Sequence, residues 1–377
     1  MPTPWIRSGF SLEADLVVVG AGIVGLWTAL LYQRRNPDHR VVVLERAGRP
    51  DGASVRNAGF ACFGSPSELL ADMATEGEAA ALHRVEERWK GLQEMRQELG
   101  DAHIGFEASG GYELFADIGR YTAVAEGFDR LNDLLKGIFG RQVYSWQDER
   151  IPELGLGTDH LCFTDLEGAV DSGRLMRTLL GKARHAGVDI FFGVEVNRVH
   201  DQNDHAELST NAGAPVRSRN VVVAINGYTR TLLPELDVLP ARGQVLLTTP
   251  IAGLGLKGTF HADEGYFYFR DLHGAVLLGG GRHLDKAGET TDKEGTTPLI
   301  QDRLEDLLRR VVLPGRDFTV LQRWSGIMGF GQEGKAPLVE RISPSVGVAA
   351  RLSGMGVAIG IRVARGMVDL LEADPRE

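Results

Sequence analysis

The chain has 377 residues, 43% of them hydrophobic, which is enough for a large core and more than one domain. Its net charge of −10 argues against nucleic acid or an anionic membrane surface as the main partner. Two cysteines are too few for a disulfide framework, residues 1–15 lack the apolar core of a signal peptide, and the apolar run 16–31 is short for a membrane span, so a cytoplasmic protein is expected.

The predicted elements alternate between strand and helix along the chain. Short runs rich in Val, Ile and Phe predict strands, and longer amphipathic runs predict helices. In chain order we predict a strand at 16–19, helix at 26–32, strand at 41–43, helix at 67–100, strands at 106–115, helix at 121–138, helix at 175–186, strands at 189–192 and 221–225, strands at 260–282, helix at 300–311, and a glycine turn with a helix at 346–371. This interleaving predicts two domains between which the chain crosses several times.

The first turn of the chain, GAGIVG, has the pattern of a dinucleotide-binding motif. Gly20 permits a tight turn from strand to helix, Gly22 lets a pyrophosphate approach the backbone, and Gly25 lets the helix pack closely on the strand. The helix N-terminus offers unpaired N–H groups to phosphates. Glu45, at the end of the second strand, can accept the hydroxyls of a ribose. The motif therefore predicts a bound dinucleotide.

Further blocks follow this turn in a fixed order. They read GASVRNAGF at 52–60, EGAVD at 167–171, GVEV at 193–196, VVVAINGYT at 221–229, RGQ at 242–244, LLGGG at 277–281, WSGIMG at 324–329 and SGMGV at 353–357. Together these blocks resemble the FAD-dependent amino-acid and amine oxidase family, which includes D-amino acid oxidase, glycine oxidase and sarcosine oxidase. The variants SVRNAG and AINGY look closest to the branch that includes gamma-glutamylputrescine oxidase.

The resemblance implies an α/β protein with a Rossmann-like FAD-binding domain and an interleaved α+β substrate domain built on an antiparallel sheet. The FAD-binding domain is expected to comprise residues 1–85, 166–235 and 326–377, and the substrate domain residues 86–165 and 236–325. Several relatives attach FAD through a cysteine that follows the family's Trp region. Residues 324–360 contain no cysteine, so FAD is expected to be held without a covalent bond.

The family's cofactor contacts can be carried over residue by residue. The resemblance implies that the pyrophosphate and ring of FAD lie against the first turn, the 52–60 block and the SGMGV block. It also implies that the adenine contacts the backbone of the GVEV block at 193–196. The residues expected to bind FAD are Gly20, Gly22, Ile23, Val24, Gly25, Glu45, Arg46, Ser54, Asn57, Ala58, Gly59, Val196, Asn226, Gly227, Gly354, Met355, Gly356 and Val357.

The substrate site is expected to be aromatic, because a desolvated pocket favours the neutral form of an amine. The candidates are Tyr266, which matches a substrate-site tyrosine of glycine oxidase, and Phe60, Phe63, Tyr268 and Trp324. A thiol at Cys62 is expected to be a small buried hydrophobic group.

In D-amino acid and glycine oxidases an arginine binds the substrate carboxylate, and the resemblance places Met328 at that position here. Arg270, Arg282 or Arg56 could supply this charge from elsewhere. Some relatives also carry a lysine on the strand that reads AVLL at 275–278, where it promotes the reaction with O₂, and this chain has leucine there. Electrons could therefore pass to O₂ or to another acceptor.

The leading hypothesis is an FAD-dependent oxidoreductase that oxidises a C–N bond of a small amine or amino acid to an imine. The alternatives are an FAD-dependent dehydrogenase of a hydroxy acid, which should supply a base such as histidine, and a non-catalytic flavoprotein subunit. A nicotinamide dehydrogenase shares the first motif but not the SGMGV block. No nucleic acid or membrane partner is expected.

Overall fold

Two large sheets organise the protein, which a computed structural model describes for residues 12–213, 215–332 and 334–373. The two outer ends of the predicted FAD-binding domain, residues 1–11 and 374–377, lie outside these ranges. The described strands are β1 Leu12–Val19, β2 Val41–Glu45, β3 Phe60–Ala61, β4 Gly111–Phe115, β5 Ser145–Trp146, β6 His160–Thr164, β7 Gly168–Ala169, β8 Asp189–Phe192, β9 Val196–Asp201, β10 Ala206–Thr210, β11 Val216–Val223, β12 Leu239–Thr248, β13 Thr259–Ala262, β14 Phe267–Leu272, β15 Ala275–Gly280, β16 Val320–Phe330, β17 Leu338–Ser343 and β18 Val346–Ala350.

Helices cover the sheets and connect them. The described α-helices are α1 Ile23–Arg35, α2 Ala53–Arg56, α3 Pro66–Glu76, α4 Glu78–Leu99, α5 Asp101–Ile104, α6 Ile118–Phe139, α7 Ile151–Leu154, α8 Ser172–His185, α9 Pro298–Leu307 and α10 Gly356–Glu372. Within the described ranges, no helix is both long and apolar enough to cross a membrane.

The first sheet has the strand order β17-β18-β11-β1-β2-β8, with β9 and β10 attached beside β11. The pairs from β18 to β8 are parallel, and β17 runs antiparallel to β18. Buried valines fill both faces of β1 and β2, as expected for a parallel sheet that is covered on both sides. Helices α1, α8 and α10 contribute to the core on one face.

Parallel pairing brings the carboxyl ends of β1, β2, β11 and β18 to one edge of this sheet. The GAGIVG turn follows β1, Glu45 ends β2, Asn226 follows β11, and the SGMGV block follows β18. Ligands of open α/β sheets bind at this kind of edge. The fold therefore gathers four of the predicted FAD-binding segments.

The second sheet has the order β16-β12-β15-β14-β13-β4-β6-β5 and is antiparallel except where β13 meets β4. Phe267 and Phe269 of β14 point into a core that α9 covers. Because side chains alternate along a strand, Tyr268 and Arg270 point to the opposite face. That face of the second sheet is turned towards the edge of the first sheet and borders the cleft between them.

The predicted α/β fold class is confirmed, and most predicted elements form within a few residues of the predicted ends. The predicted helix at 67–100 is interrupted at Gly77, whose φ of +88° ends α3 before α4 begins. Only Gly111–Phe115 of the predicted strands at 106–115 forms a strand. The domain boundaries stay a prediction, and β16 runs through the predicted boundary at 325/326.

Helices α4 and α10 approach closely at a glycine. A Cβ on Gly91 would lie 2.1 Å from the carbonyl oxygen of Ala358, which is in the first turn of α10. Gly137 of α6 is also helical, but a Cβ there would meet nothing within 4 Å. The two glycines therefore form a matched pair, one required by packing and one not.

We predict that Gly91→Ala lowers the free energy of unfolding by roughly 1–3 kcal/mol, because the added methyl must push α10 away. Gly137→Ala should raise it by about 0.5–1 kcal/mol, because alanine favours the helix. Urea unfolding of both variants checks this. Equal effects of the two substitutions would contradict the packing role of Gly91.

Candidate active site

One cleft of about 680 Å³ runs between the two sheets. At one end it is bordered by the carboxyl edge of the first sheet, and at the other by the inner face of the second sheet. Most predicted FAD-binding residues line it: Gly20, Gly22, Ile23, Val24, Glu45, Arg46, Ser54, Asn57, Ala58, Val196, Asn226, Gly354, Met355, Gly356 and Val357. The cleft is therefore long enough to join the first turn to the SGMGV block.

The glycines of the first turn have separate geometric roles. Gly20 adopts a φ of +104°, which only glycine takes readily. A Cβ on Gly25 would lie 1.9 Å from the carbonyl oxygen of Gly20, so Gly25 allows the close packing of helix on strand. A Cβ on Gly22 would project towards the cleft and meet Ser54 Oγ at 3.2 Å. Gly22 thus keeps open the space that a pyrophosphate needs.

Side chains from neighbouring segments hold the turn in place. Glu45 accepts hydrogen bonds from the N–H groups of Ala21, at 2.9 Å, and Ala47, at 3.0 Å. Ser54 Oγ accepts from the N–H of Ile23 at 3.0 Å. Both side chains also border the cleft. They therefore orient the backbone that faces the cleft.

The loop after α2 is fixed by Asn57. Its side-chain nitrogen donates to the carbonyls of Ala53 and Ser54, and its oxygen accepts from the N–H of Gly59 and from Ser172 Oγ. Ser172 is the first residue of α8, so its hydroxyl gives the loop a direct bond to that helix. The bonds present Ala58 and Phe60 to the cleft.

Asn226 fixes the segment that leads into α10. It has a φ of +46°, and its Oδ1 accepts from the N–H groups of Arg351 and Leu352 at 3.1 and 3.3 Å. Gly227 does not line the cleft but allows β16 to pass, since a Cβ there would lie 2.4 Å from the carbonyl oxygen of Met328. Asn226 is therefore a positioning residue for the SGMGV block.

Two helix N-termini open into this cleft, those of α1 and α10. The residues that precede the two helices, Gly22 and Met355, make no side-chain cap, Ser54 Oγ accepts only from the first N–H of α1, and neither first turn contains an acidic residue. Each terminus therefore presents free N–H groups and the positive end of a helix dipole. Such termini favour phosphate oxygens or a carbonyl that gains negative charge.

The far part of the cleft is an aromatic chamber, formed by Phe60, His261, Tyr268 and Met328. The ring of Phe60 meets those of His261 and Tyr268 edge-on, at centroid distances of 5.1 and 5.8 Å. Glycine makes room for Tyr268, because a Cβ on Gly279 would lie 2.5 Å from its ring. Burial raises the pKa of Tyr268 to about 12, so its hydroxyl stays protonated and can donate a hydrogen bond.

Met328 connects this chamber to the SGMGV block. Its Sδ would lie 3.6 Å from a Cβ on Gly354, and its Cε 2.9 Å from a Cβ on Gly243. The hydroxyl of Tyr268 would lie 3.9 Å from the same Gly243 Cβ. The chamber is therefore adjacent to the start of α10.

Arg282 places a positive charge in the wall of the cleft. Its guanidinium carbon lies 4.4 Å from the centroid of the Phe330 ring, and both residues line the cleft. Phe330 is two residues beyond Met328 on β16, on the same face of the strand. Within the described ranges, the guanidinium of Arg282 has no hydrogen bond or ion pair, and burial lowers the pKa of this side chain. A half-buried guanidinium of this kind lacks an anionic partner.

Comparison with known proteins agrees with this geometry. A sequence model of the FAD-dependent oxidoreductase family matches residues 15–370. The chain belongs to this family. No curated protein sequence matches the chain directly.

Solved structures share the fold along nearly the whole chain. L-proline dehydrogenase from P. horikoshii is similar at a TM-score of 0.77 and 17% identity, over 97% of this chain and 96% of that one. Glycine oxidase from Geobacillus kaustophilus is similar at 0.77 and 20%, over 96% and 95%. Iminodiacetate oxidase from Chelativorans sp. BNC1 is similar at 0.77 and 18%, over 96% of each chain. The predicted resemblance and enzyme class, an FAD-dependent oxidoreductase, are confirmed.

The described residues fit the family's cofactor. The open space at Gly22, the remaining free N–H groups at the two helix N-termini and a continuous cleft match the phosphates and ring system of FAD. The roles of individual FAD-binding residues stay predictions. Gly25, Gly59 and Gly227 do not line the cleft, and their missing side chains serve close packing instead.

Several predicted substrate residues lie elsewhere than expected. Arg270 donates to the carbonyls of Gly59 and Val170 and does not line the cleft, so its charge is used to hold the Phe60 segment. Phe63 is fully buried against other aromatic rings, and Trp324 donates to the carbonyl of Arg56. The contacts of these three side chains are structural, and a substrate role for any of them stays a prediction. Arg56 is paired with Asp51 and Glu294.

Tyr266 lies at the rim of the cleft rather than in the chamber. It is 40% exposed, and its ring packs on His283 at 4.3 Å. Its neighbour Tyr268, two residues further on, occupies the position beside Phe60 and Met328. The alternating aromatics in the sequence indicated both tyrosines. Tyr266 lies in the turn before β14 and Tyr268 lies within β14, so the residue at which this strand begins decides which ring enters the chamber.

His261 is the functional candidate that the sequence did not indicate. It is 7% exposed and lines the cleft, and among the described residues neither ring nitrogen has a hydrogen-bond partner. From the sequence, the FHA segment could be read only as part of a predicted strand. Nothing in that segment marks its histidine as functional. The placement of the segment beside Phe60 depends on the pairing of β13 with β14.

Glu167 anchors the segment that follows Phe60. Its carboxyl accepts from the N–H groups of Phe63 at 2.8 Å and Gly64 at 3.2 Å. Burial raises its pKa to about 8, and these two N–H donors only partly oppose the shift. Between its ordinary value and this pKa, the folded protein holds one more proton than the unfolded chain.

The free energy of unfolding should therefore decrease as the pH rises through this window. We predict that Glu167→Gln, which keeps the acceptor oxygen but cannot ionise, weakens this decrease and makes the protein more stable than wild type above about pH 8. Urea unfolding from about pH 5 to pH 9 measures it, with the exposed Glu126→Gln as control. An unchanged pH dependence in Glu167→Gln would show that this carboxyl is ionised in the fold.

Proposed function

We propose that this enzyme oxidises the C–N bond of a small amino acid or amine to an imine, with electrons passing to O₂ or another acceptor. The observation that carries the proposal is the aromatic chamber at the end of the cleft that fits FAD, with the unpartnered guanidinium of Arg282 in the wall of the same cleft. Bound FAD supplies the hydride acceptor for this oxidation.

The chamber supports a substrate that reacts as a neutral amine. Phe60 and Met328 offer apolar surface, and burying an ammonium without a partner is costly. Tyr268 can donate a hydrogen bond, and Arg282 can bind a carboxylate with paired N–H donors. A carboxylate between Tyr268 and Arg282 would orient the adjacent carbon, so we favour an amino acid over a simple amine.

We also propose that FAD is held without a covalent bond. Both cysteines are buried and free, and burial raises their pKa values well above the ordinary range. Cys62 lines the cleft but is therefore a protonated thiol, which is a poor nucleophile. Denaturation should release FAD into the supernatant.

A specific observation also favours the hydroxy-acid alternative. Burial lowers the pKa of His261 to about 4, so the ring is neutral near pH 7 and could accept a hydroxyl proton. The same chamber would bind the carboxylate of such a substrate. The two candidates differ only in the atom that carries the proton next to the oxidised carbon.

The function is tested by anaerobic bleaching of the flavin in the purified enzyme. The panel is glycine, L-proline, iminodiacetate, propylamine and lactate. Reduction by the amino compounds supports the proposal, and reduction by lactate alone supports the alternative. If no compound of either class reduces the flavin, the proposal fails. Peroxide formation in air then identifies O₂ as the acceptor.

The role of Arg282 is tested by substitution. We predict that Arg282→Gln raises the KM for the best amino acid roughly tenfold to a hundredfold, because a charge-assisted hydrogen bond is worth about 1.5–3 kcal/mol. Oxidation of propylamine, which has no carboxylate, should change little. Steady-state kinetics with both compounds separates the two effects.

Arg303→Gln is the matched control. Arg303 also stacks on a phenylalanine, Phe267, at 6.0 Å and pairs with Asp306, but it lies outside the cleft. It should leave both KM values near wild type. A similar loss for both substrates in Arg282→Gln would contradict carboxylate binding and indicate a structural role.

A further inference from the structure

His261 stands out because it is a buried polar side chain without a partner in a cleft. Among the described residues, neither Nδ1 nor Nε2 has a hydrogen bond, although the side chain is almost fully buried. Leaving such a group unsatisfied costs about 1–3 kcal/mol. A cost of this size at the wall of a ligand cleft is explained if a ligand supplies the partner.

The position of His261 is set by the register of the second sheet. One row across this sheet contains Glu113 of β4, His261 of β13, Tyr268 of β14, Gly279 of β15 and Val245 of β12. Register partners point to the same face. His261 and Tyr268 therefore stand side by side in the chamber wall, and the ring of Phe60 touches both edge-on.

Charged and titratable groups surround this imidazole. They are Glu68 of α3, Arg88 of α4, Cys62 directly after β3, Glu113 of β4, Tyr268 of β14, Glu264 in the turn before β14 and Lys335 in the loop after β16. Glu68 pairs with Arg88 and Lys335, both at 3.3 Å, and its pKa is lowered to about 2 by these cations against the effect of its burial. Glu68 is therefore a fixed carboxylate, and its charge favours the protonated form of His261.

We propose that His261 accepts the proton that the substrate ammonium must lose before its C–N bond is oxidised. This inference rests on the proposed function and extends it to a further catalytic residue. An N–H bond of the ammonium breaks, its electron pair stays on nitrogen as the lone pair of the neutral amine, and the proton moves to the unprotonated ring nitrogen of His261.

The geometry lowers the free-energy cost of this transfer in two ways. The proton stays inside the chamber, so one buried cation replaces another. Glu68 lies on the imidazole side and stabilises the imidazolium that forms, as an acidic partner does in other base–carboxylate pairs. His261 is neutral before the substrate enters, since burial lowers its pKa to about 4, so its ring nitrogen is available as acceptor.

The test measures the rate of anaerobic flavin reduction in the FAD-loaded enzyme from about pH 6 to pH 10, with the amino compound from the panel that reacts fastest. We expect His261→Gln to react about 100-fold more slowly than wild type near pH 7, the usual contribution of a general base. The loss should diminish near pH 10, where free amine is abundant. Added imidazole should restore part of the rate near pH 7.

His160→Gln is the matched control in the same sheet. His160 lies on β6, bonds to Asp148 at 2.8 Å and stacks on Tyr121, outside the cleft. It should follow the wild-type pH profile. A loss in His261→Gln that is equal at every pH, or no loss at all, would overturn the proposal and leave His261 as a core residue.

A second measurement uses the wild-type protein and so does not depend on how the variant folds. 2-Aminoisobutyrate has no hydrogen on its α-carbon and cannot be oxidised. In protein labelled with ¹⁵N-histidine, we expect one pair of ring nitrogen resonances to shift when this compound saturates the site. If it binds and no histidine resonance moves, His261 does not meet the amine.

The two hypotheses fail in different ways. If no amine reduces the wild-type flavin, the proposed function fails and this inference with it. If amines reduce wild type and His261→Gln with the same pH profile, only the inference fails. If lactate alone reduces wild type, the proton on His261 comes from a hydroxyl, and the inference for an ammonium is wrong.

Discussion

The parallel pairing of β1 with β2 and β11, and of β11 with β18, is the constraint on which the site depends. It brings segments from opposite ends of the chain to one edge of a sheet. Without this pairing, nothing in the sheet would bring the first glycine turn and the SGMGV block close together. Their two helices, α1 and α10, also pack against each other in the same core. The coenzyme cleft is thus a consequence of strand order.

A second constraint is how side chains hold the backbone around the cleft. Four side chains accept hydrogen bonds from backbone N–H groups of the segments that line it: Glu45, Ser54, Asn57 and Asn226. Arg270 of the second sheet holds the same region as a donor, to the carbonyl oxygen of Gly59. These bonds fix loops that have little regular structure of their own. A preformed backbone then meets the cofactor with little loss of conformational entropy on binding.

The chamber beyond the cofactor combines low polarity with a few groups whose protonation is set by burial. Tyr268 is kept as a donor and His261 as an acceptor, while Arg282 keeps a charge without a described partner. Such a set can grip a carboxylate at one point and neutralise an ammonium at another. Met328 on β16 takes the place of an arginine that binds substrate in some relatives. This departure is consistent with the arrangement, because Arg282, which follows β15, supplies the positive charge instead.

The sequence by itself determined the fold class, the first turn, and most of the segments that line the cleft, because these depend on local requirements. Gly20 must take a positive φ, and Glu45 must end a strand, whatever lies around them. The tertiary structure decided the substrate end. Strand register and contacts between distant segments decide three features of that end: which of Tyr266 and Tyr268 faces inward, which of Arg270 and Arg282 is free, and the burial of His261 without a described partner. Register and distant contacts leave no local pattern in the sequence.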